Sequence, residues 1–561
     1  MKRRSLILIL FIVLGGSLPM GVARAASHES PLFRIPYAAS LDPGPITGRV
    51  FVVISKNNLR EPRFQAGSYG GSVPFFGLDV DRMKPGEDAV IDGSTLGFPL
   101  SSLSDLPADE YCVQAVLNVY TQFHRQDGHV IWAHMDRWEG QRWNASPGNL
   151  VSEVQKVRLD PRAGFDVKLI LSRKLPEIQV SPDTEWVKRV KIQSQLLSEF
   201  WGRPIDVGAT VLLPKDYDRS PSLKYLAIYI QDHFGLGAPF GFSTMEPAKP
   251  TPDPQARARR PRTARETGYE FFLAWNSDDF PRMIAVTFQH PTPYYDDSYA
   301  VNSANNGPYG DALLRELIPY LEKTFRILSE PYARVLTGGS TGGWEALALQ
   351  VFHPAFFSGA WIFYPDPVDF GRYQLTNIYE DENAFEVPNG EWAEMVRPLS
   401  RTAEGQVTLT MREMSRLEAV LGSHGRSGQQ LAAWEAAYGP VGPDGYPRPL
   451  WDGLTGKIDK DVAASMRDNG YDLRFNLEKN WSRIGKDLVG KIRVYVGDMD
   501  NYYLNLAVCL LEDFLKNTVD PSAEAVFEYE RPAKGHGWQP MTNSDLVRDM
   551  ARHIEATAVK R

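Results

Sequence analysis

The second half of the chain alternates short, almost wholly apolar segments with longer amphipathic ones. Short apolar segments are typical of parallel strands buried on both faces, and their alternation with helices predicts a mainly parallel sheet with flanking helices. The predicted strands are 206–213, 225–230, 283–288, 334–337, 360–363, 492–496 and 526–529. The clearest predicted helices are 310–325, 344–352 and 504–515.

The first half of the chain has a different pattern. Short alternating segments are separated by Gly, Pro, Asp and Asn, and no long helical period appears. This pattern predicts an all-β sandwich domain over residues 26–185, followed by an α/β domain over residues 186–561. Trp132, Trp138 and Trp143 either form an exposed platform for a polymer or pack inside the sandwich, and we expect packing.

Two segments interrupt the alternation of the second half. Residues 371–486 are rich in Glu, Trp, Tyr and Gly and include helical patterns, so we expect a helical insertion that forms a cap. Residues 253–265 hold five arginines among prolines. We expect a solvated loop for this arginine-rich segment, with capture of an anionic substrate as the alternative.

The amino-terminal residues have the pattern of a secretory signal peptide. Three basic residues precede the apolar run 6–14, and Ala23-Arg24-Ala25 offers a small-x-small cleavage site. The apolar run is shorter than a bilayer requires, so we expect removal of residues 1–25 and no transmembrane span afterwards. The protein is therefore predicted to be secreted or periplasmic.

Composition narrows the function classes further. With 43% hydrophobic and 23% charged residues the chain is an ordinary globular protein, and its net charge of −8 argues against a nucleic-acid partner. Cys112 and Cys509 are the two cysteines, and we expect two unpaired, buried thiols. Neither a metal nor an organic cofactor is implied, and the oligomeric state stays open.

The motif that carries chemistry follows the predicted strand 334–337. The sequence Gly338-Gly339-Ser340-Thr341-Gly342-Gly343 leads directly into an apolar helix. A nucleophile on such a sharp turn needs residues without side chains two before and two after it, because strand and helix backbones converge there. We predict that Ser340 is a nucleophile and that the Thr341 N–H, at the helix N-terminus, stabilises an oxyanion.

A serine nucleophile needs a histidine base and an orienting carboxylate, in the chain order serine, acid, base. The predicted base is His536, in a glycine-flanked loop after the last strand. The predicted acid is Asp500, at the carboxyl end of a late strand. Asp498 is the close alternative for the acid, and Asp366 is the distant one.

Further site residues are predicted in loops near this motif. The second oxyanion donor is expected after the strand 225–230, from the backbone of Phe234 or Gly235. Seven side chains are candidates for contact with substrate: His233, Asn302, Asn305, Asn306, Tyr309, Trp344 and Trp538. For the asparagines the alternative is that they only shape a tight loop.

These motifs resemble the esterase D branch of the α/β-hydrolase superfamily, which includes enterochelin esterases, feruloyl esterases, formylglutathione hydrolases and mycolyltransferase-type acyltransferases. The resemblance rests on the Ser340 turn and on the segments 296–310, 497–500 and 535–538. It implies an α/β-hydrolase fold over the second half of the chain, apart from the insertion. Where the family has His-Gly or Asp-Gly, this chain has His-Phe at 233–234.

Together, the residues and the resemblance predict a secreted serine carboxylesterase that acts on a small-molecule or polymer-linked ester through an acyl-enzyme. The first alternative is an acyltransferase or a peptidase that uses the same triad. The second alternative is a secreted binding protein whose hydrolase fold is catalytically silent.

Overall fold

The structure is a computed structural model, and it describes residues 30–69, 71–247, 266–530 and 532–558. The predicted signal peptide and the arginine-rich segment 253–265 lie outside the described residues. Within the described ranges, no helix is both long enough and apolar enough to cross a membrane.

The amino-terminal region is rich in β-strands. A seven-stranded sheet has the order β12-β9-β6-β2-β3-β5, with β10 also paired to β6, and a three-stranded sheet has the order β11-β1-β4. The strands are β1 Leu32–Ile35, β2 Ile46–Ser55, β3 Phe75–Met83, β4 Ala89–Asp92, β5 Gly97–Phe98, β6 Asp109–Val119, β7 Thr121–His124, β8 Val130–Ala133, β9 Leu150–Ser152, β10 Gln155–Leu159, β11 Asp166–Lys168 and β12 Leu171–Lys174.

Strand β2 is buried on both faces because it lies between two hydrophobic cores. Val50 and Val52 pack with residues of the three-stranded sheet. Phe51 and Val53 point to the opposite face and join a core that continues into the α/β region. Trp143 packs on Phe51 in this shared core, with ring centroids 4.4 Å apart. The amino-terminal sheet is therefore packed firmly against the rest of the protein.

The α/β region is built on an eight-stranded sheet with the order β13-β14-β16-β15-β19-β20-β25-β26. The strands of this half of the chain are β13 Val187–Ser194, β14 Ile205–Leu212, β15 Leu226–Gln231, β16 Met283–Gln289, β17 Asn302–Ser303, β18 Gly307–Pro308, β19 Arg334–Gly339, β20 Gly359–Phe363, β21 Glu386–Pro388, β22 Glu394–Val396, β23 Pro398–Arg401, β24 Val407–Thr410, β25 Ile492–Gly497 and β26 Val526–Glu530.

The large sheet is mixed rather than wholly parallel. From β16 to β26 every neighbouring pair is parallel, as the short apolar segments predicted. Strands β13 and β14 pair antiparallel to each other, and β14 pairs antiparallel to β16. Strand β13 is missing from the prediction because its sequence alternates apolar with basic residues, which is the pattern of a half-exposed edge strand.

Helices cover the sheet, and four of them lie in the insertion. They are α1 Gln195–Trp201, α2 Gly268–Trp275, α3 Tyr309–Ala312, α4 Ile318–Thr324, α5 Thr341–Phe352, α6 Met411–Leu421, α7 Gln430–Tyr438, α8 Lys460–Asp468, α9 Leu473–Ile484, α10 Asn505–Lys516 and α11 Asn543–Ala558. The predicted helix 310–325 is α3 and α4, joined by a π-helical turn at Leu313–Leu317. The insertion also holds two short hairpins, β21-β22 and β23-β24, besides its helices.

The insertion rests on the amino-terminal sheet. The buried Arg49 of β2 donates from Nε to the carbonyl of Val420, at the end of α6, over 2.9 Å. The same guanidinium pairs with Asp79 at 2.7 Å. Arg416 of α6 donates to the carbonyl of Gly97, over 3.1 Å. These contacts fix α6 against the β-rich region.

The two cysteines are unpaired, as predicted, but the prediction that both are buried is wrong. Cys112 is half-buried and Cys509 is exposed. Cys509 lies on the outer face of α10, whose inner face is formed by Ala507, Val508 and Leu511.

Candidate active site

Ser340 occupies a sharp turn between β19 and α5. Its backbone has φ 57° and ψ −122°, a region that residues with a side chain rarely adopt. A side chain on Gly338 would lie 2.2 Å from the Gly342 carbonyl oxygen, and one on Gly342 would lie 2.0 Å from the Gln231 carbonyl oxygen. The glycines of the motif therefore permit the close approach of strand and helix that the sequence predicted.

Three side chains form a continuous hydrogen-bonded series at this turn. His536 Nε2 lies 3.0 Å from Ser340 Oγ, and His536 Nδ1 lies 2.8 Å from Asp500 Oδ2. The imidazole ring lies between two tyrosines, with ring centroids 4.7 Å from Tyr364 and 5.0 Å from Tyr502. These distances suit proton transfer from the serine hydroxyl to the imidazole.

The structure brings Asp500, rather than Asp498, to the imidazole. Asp500 is fully buried, and its Oδ1 accepts from the backbone N–H of Tyr502 over 2.9 Å. Asp498 Oδ1 instead accepts from the backbone N–H of Lys534 over 3.0 Å. One carboxylate therefore contacts the imidazole of His536, while the other holds the loop that carries this residue.

Asp366, the distant alternative for the acid, lies on the other side of the serine. Its Oδ2 accepts from the Tyr299 hydroxyl over 2.8 Å, from Gln430 Nε2 over 2.9 Å and from Thr341 Oγ1 over 3.1 Å. Its Oδ1 lies 3.5 Å from Ser340 Oγ. Burial raises the pKa of Asp366 above its ordinary value. This carboxyl group joins the nucleophile turn to the insertion.

The serine opens into a cavity of about 370 Å³. The α/β region and the insertion both contribute to its lining, and Tyr69 comes from the amino-terminal region. The lining residues are Tyr69, Asp232, His233, Gly339, Ser340, Tyr364, Asp366, Gln374, Leu399, Met414, Gln430, Leu431, Trp434, Tyr502, Leu504, His536 and Gly537. Such a mixture of apolar surface and a few converging polar groups is typical of a small-molecule site.

Residues 202–411, which include Ser340, match the model of a family named "Esterase" and described as "Putative esterase". This part of the chain is therefore similar to an esterase family. The protein is accordingly a carboxylic ester hydrolase. Asp500 and His536 lie beyond the matched residues.

Solved structures of several esterases and hydrolases are similar to this ester hydrolase. A ferulic acid esterase is 15% identical and covers 66% of this chain and 98% of its own, with a TM-score of 0.33. An S-formylglutathione hydrolase from Agrobacterium tumefaciens is 12% identical and covers 67% and 98%, with a TM-score of 0.32. The fluorophosphonate-binding serine hydrolase F of Staphylococcus aureus is 13% identical and covers 66% and 98%, with a TM-score of 0.31. No curated protein matches the chain.

The loop after β15 borders the cavity of the ester hydrolase. Asp232 and His233 line the cavity, whereas Phe234 and Gly235 are not among its lining residues. The Phe234 ring packs edge-to-face on Trp138 of the β-rich region, with centroids 5.3 Å apart. The prediction that Phe234 or Gly235 supplies the second oxyanion donor concerns backbone N–H groups rather than side chains, and it stays a prediction.

Of the seven side chains predicted to contact substrate, His233 lines the cavity. The other six are placed elsewhere: Asn302, Asn305, Asn306, Tyr309, Trp344 and Trp538. Asn305 is fully buried, and its amide donates to the carbonyls of Ala436 and Gly439 at the end of α7. The Tyr309 hydroxyl donates to the carbonyl of Pro291 over 2.6 Å. These contacts hold the loop in place, which is the structural role given above as the alternative interpretation.

The two tryptophans are core residues. Trp344 is fully buried and packs on Tyr438, with centroids 4.8 Å apart. Trp538 is 8% exposed and belongs to a core cluster with residues of α11. Asn302 accepts from the backbone N–H of Asp311 over 2.9 Å, which supports the start of α3.

Six of the cavity residues that the sequence did not reveal come from the insertion. They are Gln374, Leu399, Met414, Gln430, Leu431 and Trp434. The sequence does hold a signal for Met414. Thr410 and Glu413 form a capping box, which marks the start of α6 and so identifies the helix face on which Met414 lies. The register of that helix against the serine depends on contacts between distant parts of the chain, which no local pattern encodes.

Proposed function

We propose that the protein is a secreted serine carboxylesterase in which Ser340 is the nucleophile. Ser340 Oγ attacks the ester carbonyl carbon, and its proton passes to His536 Nε2. The imidazolium then gives this proton to the leaving alcohol, and an acyl-enzyme forms. A water molecule, deprotonated by the same imidazole, attacks the acyl carbon; the bond from that carbon to Ser340 Oγ then breaks, the imidazolium returns the proton to Oγ, and the acid leaves. Asp500 holds the imidazole in the tautomer that accepts the proton.

The observation that carries this proposal is the series from Ser340 to His536 to Asp500, with distances of 3.0 and 2.8 Å, at the wall of a cavity. The Thr341 N–H lies in the first turn of α5, where the backbone donors of a helix have no intrahelical acceptor. We assign it to the oxyanion, together with a backbone N–H from Phe234 or Gly235. The aromatic and aliphatic lining suits a compact aryl or acyl group.

Labelling with a fluorophosphonate probe tests the nucleophile. The wild-type protein is expected to react once per chain at Ser340 and to hydrolyse 4-nitrophenyl esters. Ser340→Ala is expected to lose both properties, while Ser94→Ala, which changes an exposed serine, keeps both. Ester hydrolysis by Ser340→Ala at the wild-type rate would contradict the proposal.

Product analysis separates hydrolysis from acyl transfer. With methanol or an amine as competing acceptor in water, free acid is expected as the main product. A transferred acyl group as the main product would favour the acyltransferase alternative. For secretion, an exported chain that begins at Ala26 is expected when the gene is expressed with its first 25 residues.

A further inference from the structure

A second group of ionisable side chains lies beside the catalytic cavity. It consists of His233, Asp296 and Asp297, in the loops that follow the neighbouring parallel strands β15 and β16. One candidate ligand atom from each residue lies within 4.8 Å of the others. His233 also lines the cavity, so small solutes can reach the group from solvent.

The imidazole of His233 faces more oxygens than it can satisfy. Its Nδ1 lies 3.2 Å from Asp296 Oδ1, 3.5 Å from Asp297 Oδ2 and 3.4 Å from the Tyr295 hydroxyl oxygen. One N–H makes one good hydrogen bond, and all three distances are longer than the usual value of about 2.9 Å. Two ligands about 2.1 Å from a tetrahedral zinc ion are about 3.4 Å apart. The spacing is therefore that of ligands around a small cation.

The buried carboxylate of Asp297 gives independent evidence for a ligand. Asp297 is 2% exposed, and its Oδ1 accepts from the backbone N–H of Tyr299 over 2.9 Å. Its Oδ2, the oxygen nearer to His233, has no hydrogen-bond partner among the described residues. An ionised oxygen in the interior is costly unless a cation or a donor compensates it.

A further carboxylate lies behind this group. Glu345 of α5 is fully buried, and neither of its oxygens has a hydrogen-bond partner within the described part of the chain. His290 Nε2 lies 3.9 Å from Glu345 Oε1, beyond hydrogen-bond distance. Carboxyl oxygens thus outnumber hydrogen-bond donors on this side of the cavity.

We propose that His233, Asp296 and Asp297 bind a divalent transition-metal ion such as Zn²⁺ or Mn²⁺. An imidazole nitrogen combined with carboxylate oxygens suits these ions, whereas Ca²⁺ and Mg²⁺ prefer oxygen ligands alone. The ion joins the loop after β15 to the loop after β16 and thereby positions the residues that border Ser340. It takes no part in the ester chemistry, so this proposal stands apart from the proposed function.

Metal binding by the full-length protein tests the site. Protein stripped with a chelator is titrated calorimetrically with ZnCl₂, MnCl₂ or CaCl₂, and its melting temperature is measured with and without each salt. We expect one Zn²⁺ or Mn²⁺ per chain, a higher melting temperature on loading, and much weaker binding of Ca²⁺. Asp297→Asn and Asp296→Asn are each expected to weaken binding about tenfold or more.

An exposed histidine–aspartate pair elsewhere in the protein provides the matched control. His424 Nδ1 lies 3.1 Å from Asp444 Oδ2, close to the spacing of His233 and Asp296. Asp444→Asn is therefore expected to leave metal binding unchanged. Absence of stoichiometric binding by the wild-type protein, equal weakening by Asp444→Asn, or Ca²⁺ binding as tight as that of Zn²⁺ would each overturn the proposal. Because the Asp296 side chain is 23% exposed, its variant keeps the test decisive if Asp297→Asn fails to fold.

Discussion

The catalytic cavity has two walls of different origin. The sheet wall is formed by loops after parallel strands and carries Ser340, Asp500 and His536, joined by hydrogen bonds of 2.8 and 3.0 Å. The insertion wall belongs to residues 371–486 and presents mainly apolar and amide side chains, among them Met414. Reactive groups are thus positioned by local backbone geometry, whereas the shape of the cavity depends on long-range packing.

The insertion wall is supported by contacts between its helices and the β-rich region. Helix α7, which carries Gln430 and Trp434, has no capping side chain of its own at Gln429. Glu418 of α6 caps this helix instead, because its carboxylate accepts from the backbone N–H groups of Leu431 and Ala432 over 2.8 and 2.9 Å. Since α6 in turn rests on Arg49 of the β-rich region, we infer that this region supports the cavity from outside.

The largest expected effect of a substitution is on kcat and concerns the sheet wall, where the neighbouring carboxylates of Asp498 and Asp500 have different partners. Asp500→Asn is expected to lower kcat by about 10⁴-fold, because an amide no longer holds the imidazole in its accepting tautomer. Asp498→Asn keeps an oxygen acceptor for the Lys534 N–H and is expected to stay within about tenfold of the wild type. Steady-state hydrolysis of a 4-nitrophenyl ester by both variants measures the difference. Equal losses would show that the choice of Asp500 over Asp498 is wrong.

The next effect concerns the pH dependence of stability in the insertion wall. Burial raises the pKa of Glu418 to about 7, so the folded state holds this proton more tightly than the unfolded chain does. The stability that Glu418 contributes is therefore present below about pH 4.5 and is lost as the pH rises to about 7. Glu418→Gln removes this loss, and its free energy of unfolding relative to the wild type is expected to rise by about 3 kcal/mol between pH 4.5 and pH 8.

Denaturant unfolding at pH 4.5 and pH 8 measures this change. Glu413→Gln is the control, because Glu413 lies on the same helix but is exposed. If Glu418→Gln and Glu413→Gln respond equally to pH, the buried carboxylate does not hold the insertion wall as described. The value of kcat is expected to be unchanged in both variants at the same pH, since neither residue lines the cavity.

The smallest expected effect is on substrate fit at the insertion wall. Met414 is 2% exposed and lines the cavity, so Met414→Ala is expected to raise KM by about tenfold for a bulky aryl ester, with little change in kcat. Met395→Ala provides the control, because Met395 belongs to the insertion but is 53% exposed. Michaelis–Menten parameters for a series of acyl chain lengths are the readout. A loss confined to kcat would assign Met414 to the reacting groups and so contradict the division between the walls.

The sequence predicts the sheet wall better than the insertion wall for a physical reason. Buried parallel strands have a strong local pattern, and the predicted strand 334–337 corresponds to Arg334–Gly339 of the structure. The glycines around Ser340 are likewise a local requirement of one turn. The edge strand β13 was missed because half-exposed strands lack the continuous apolar run.

Residues whose position depends on distant partners could not be predicted. The Phe234 ring, for example, packs on Trp138, which lies nearly a hundred residues earlier in the chain. Gln430 reaches Asp366 only because α7 is anchored by Glu418. The dense asparagines gave no decisive signal, since the same residue types suit a binding site and a tight loop.

Formation of a covalent acyl-enzyme tests the central claim most directly. The wild-type protein is mixed with a 4-nitrophenyl ester, quenched with acid within the first turnovers, and examined by intact and peptide mass spectrometry. We expect one acyl group per chain on the peptide that contains Ser340, its disappearance after the ester is consumed, and no adduct in Ser340→Ala. Turnover without an adduct on Ser340, or an adduct that persists in Ser340→Ala, would contradict the assignment of Ser340 as the nucleophile.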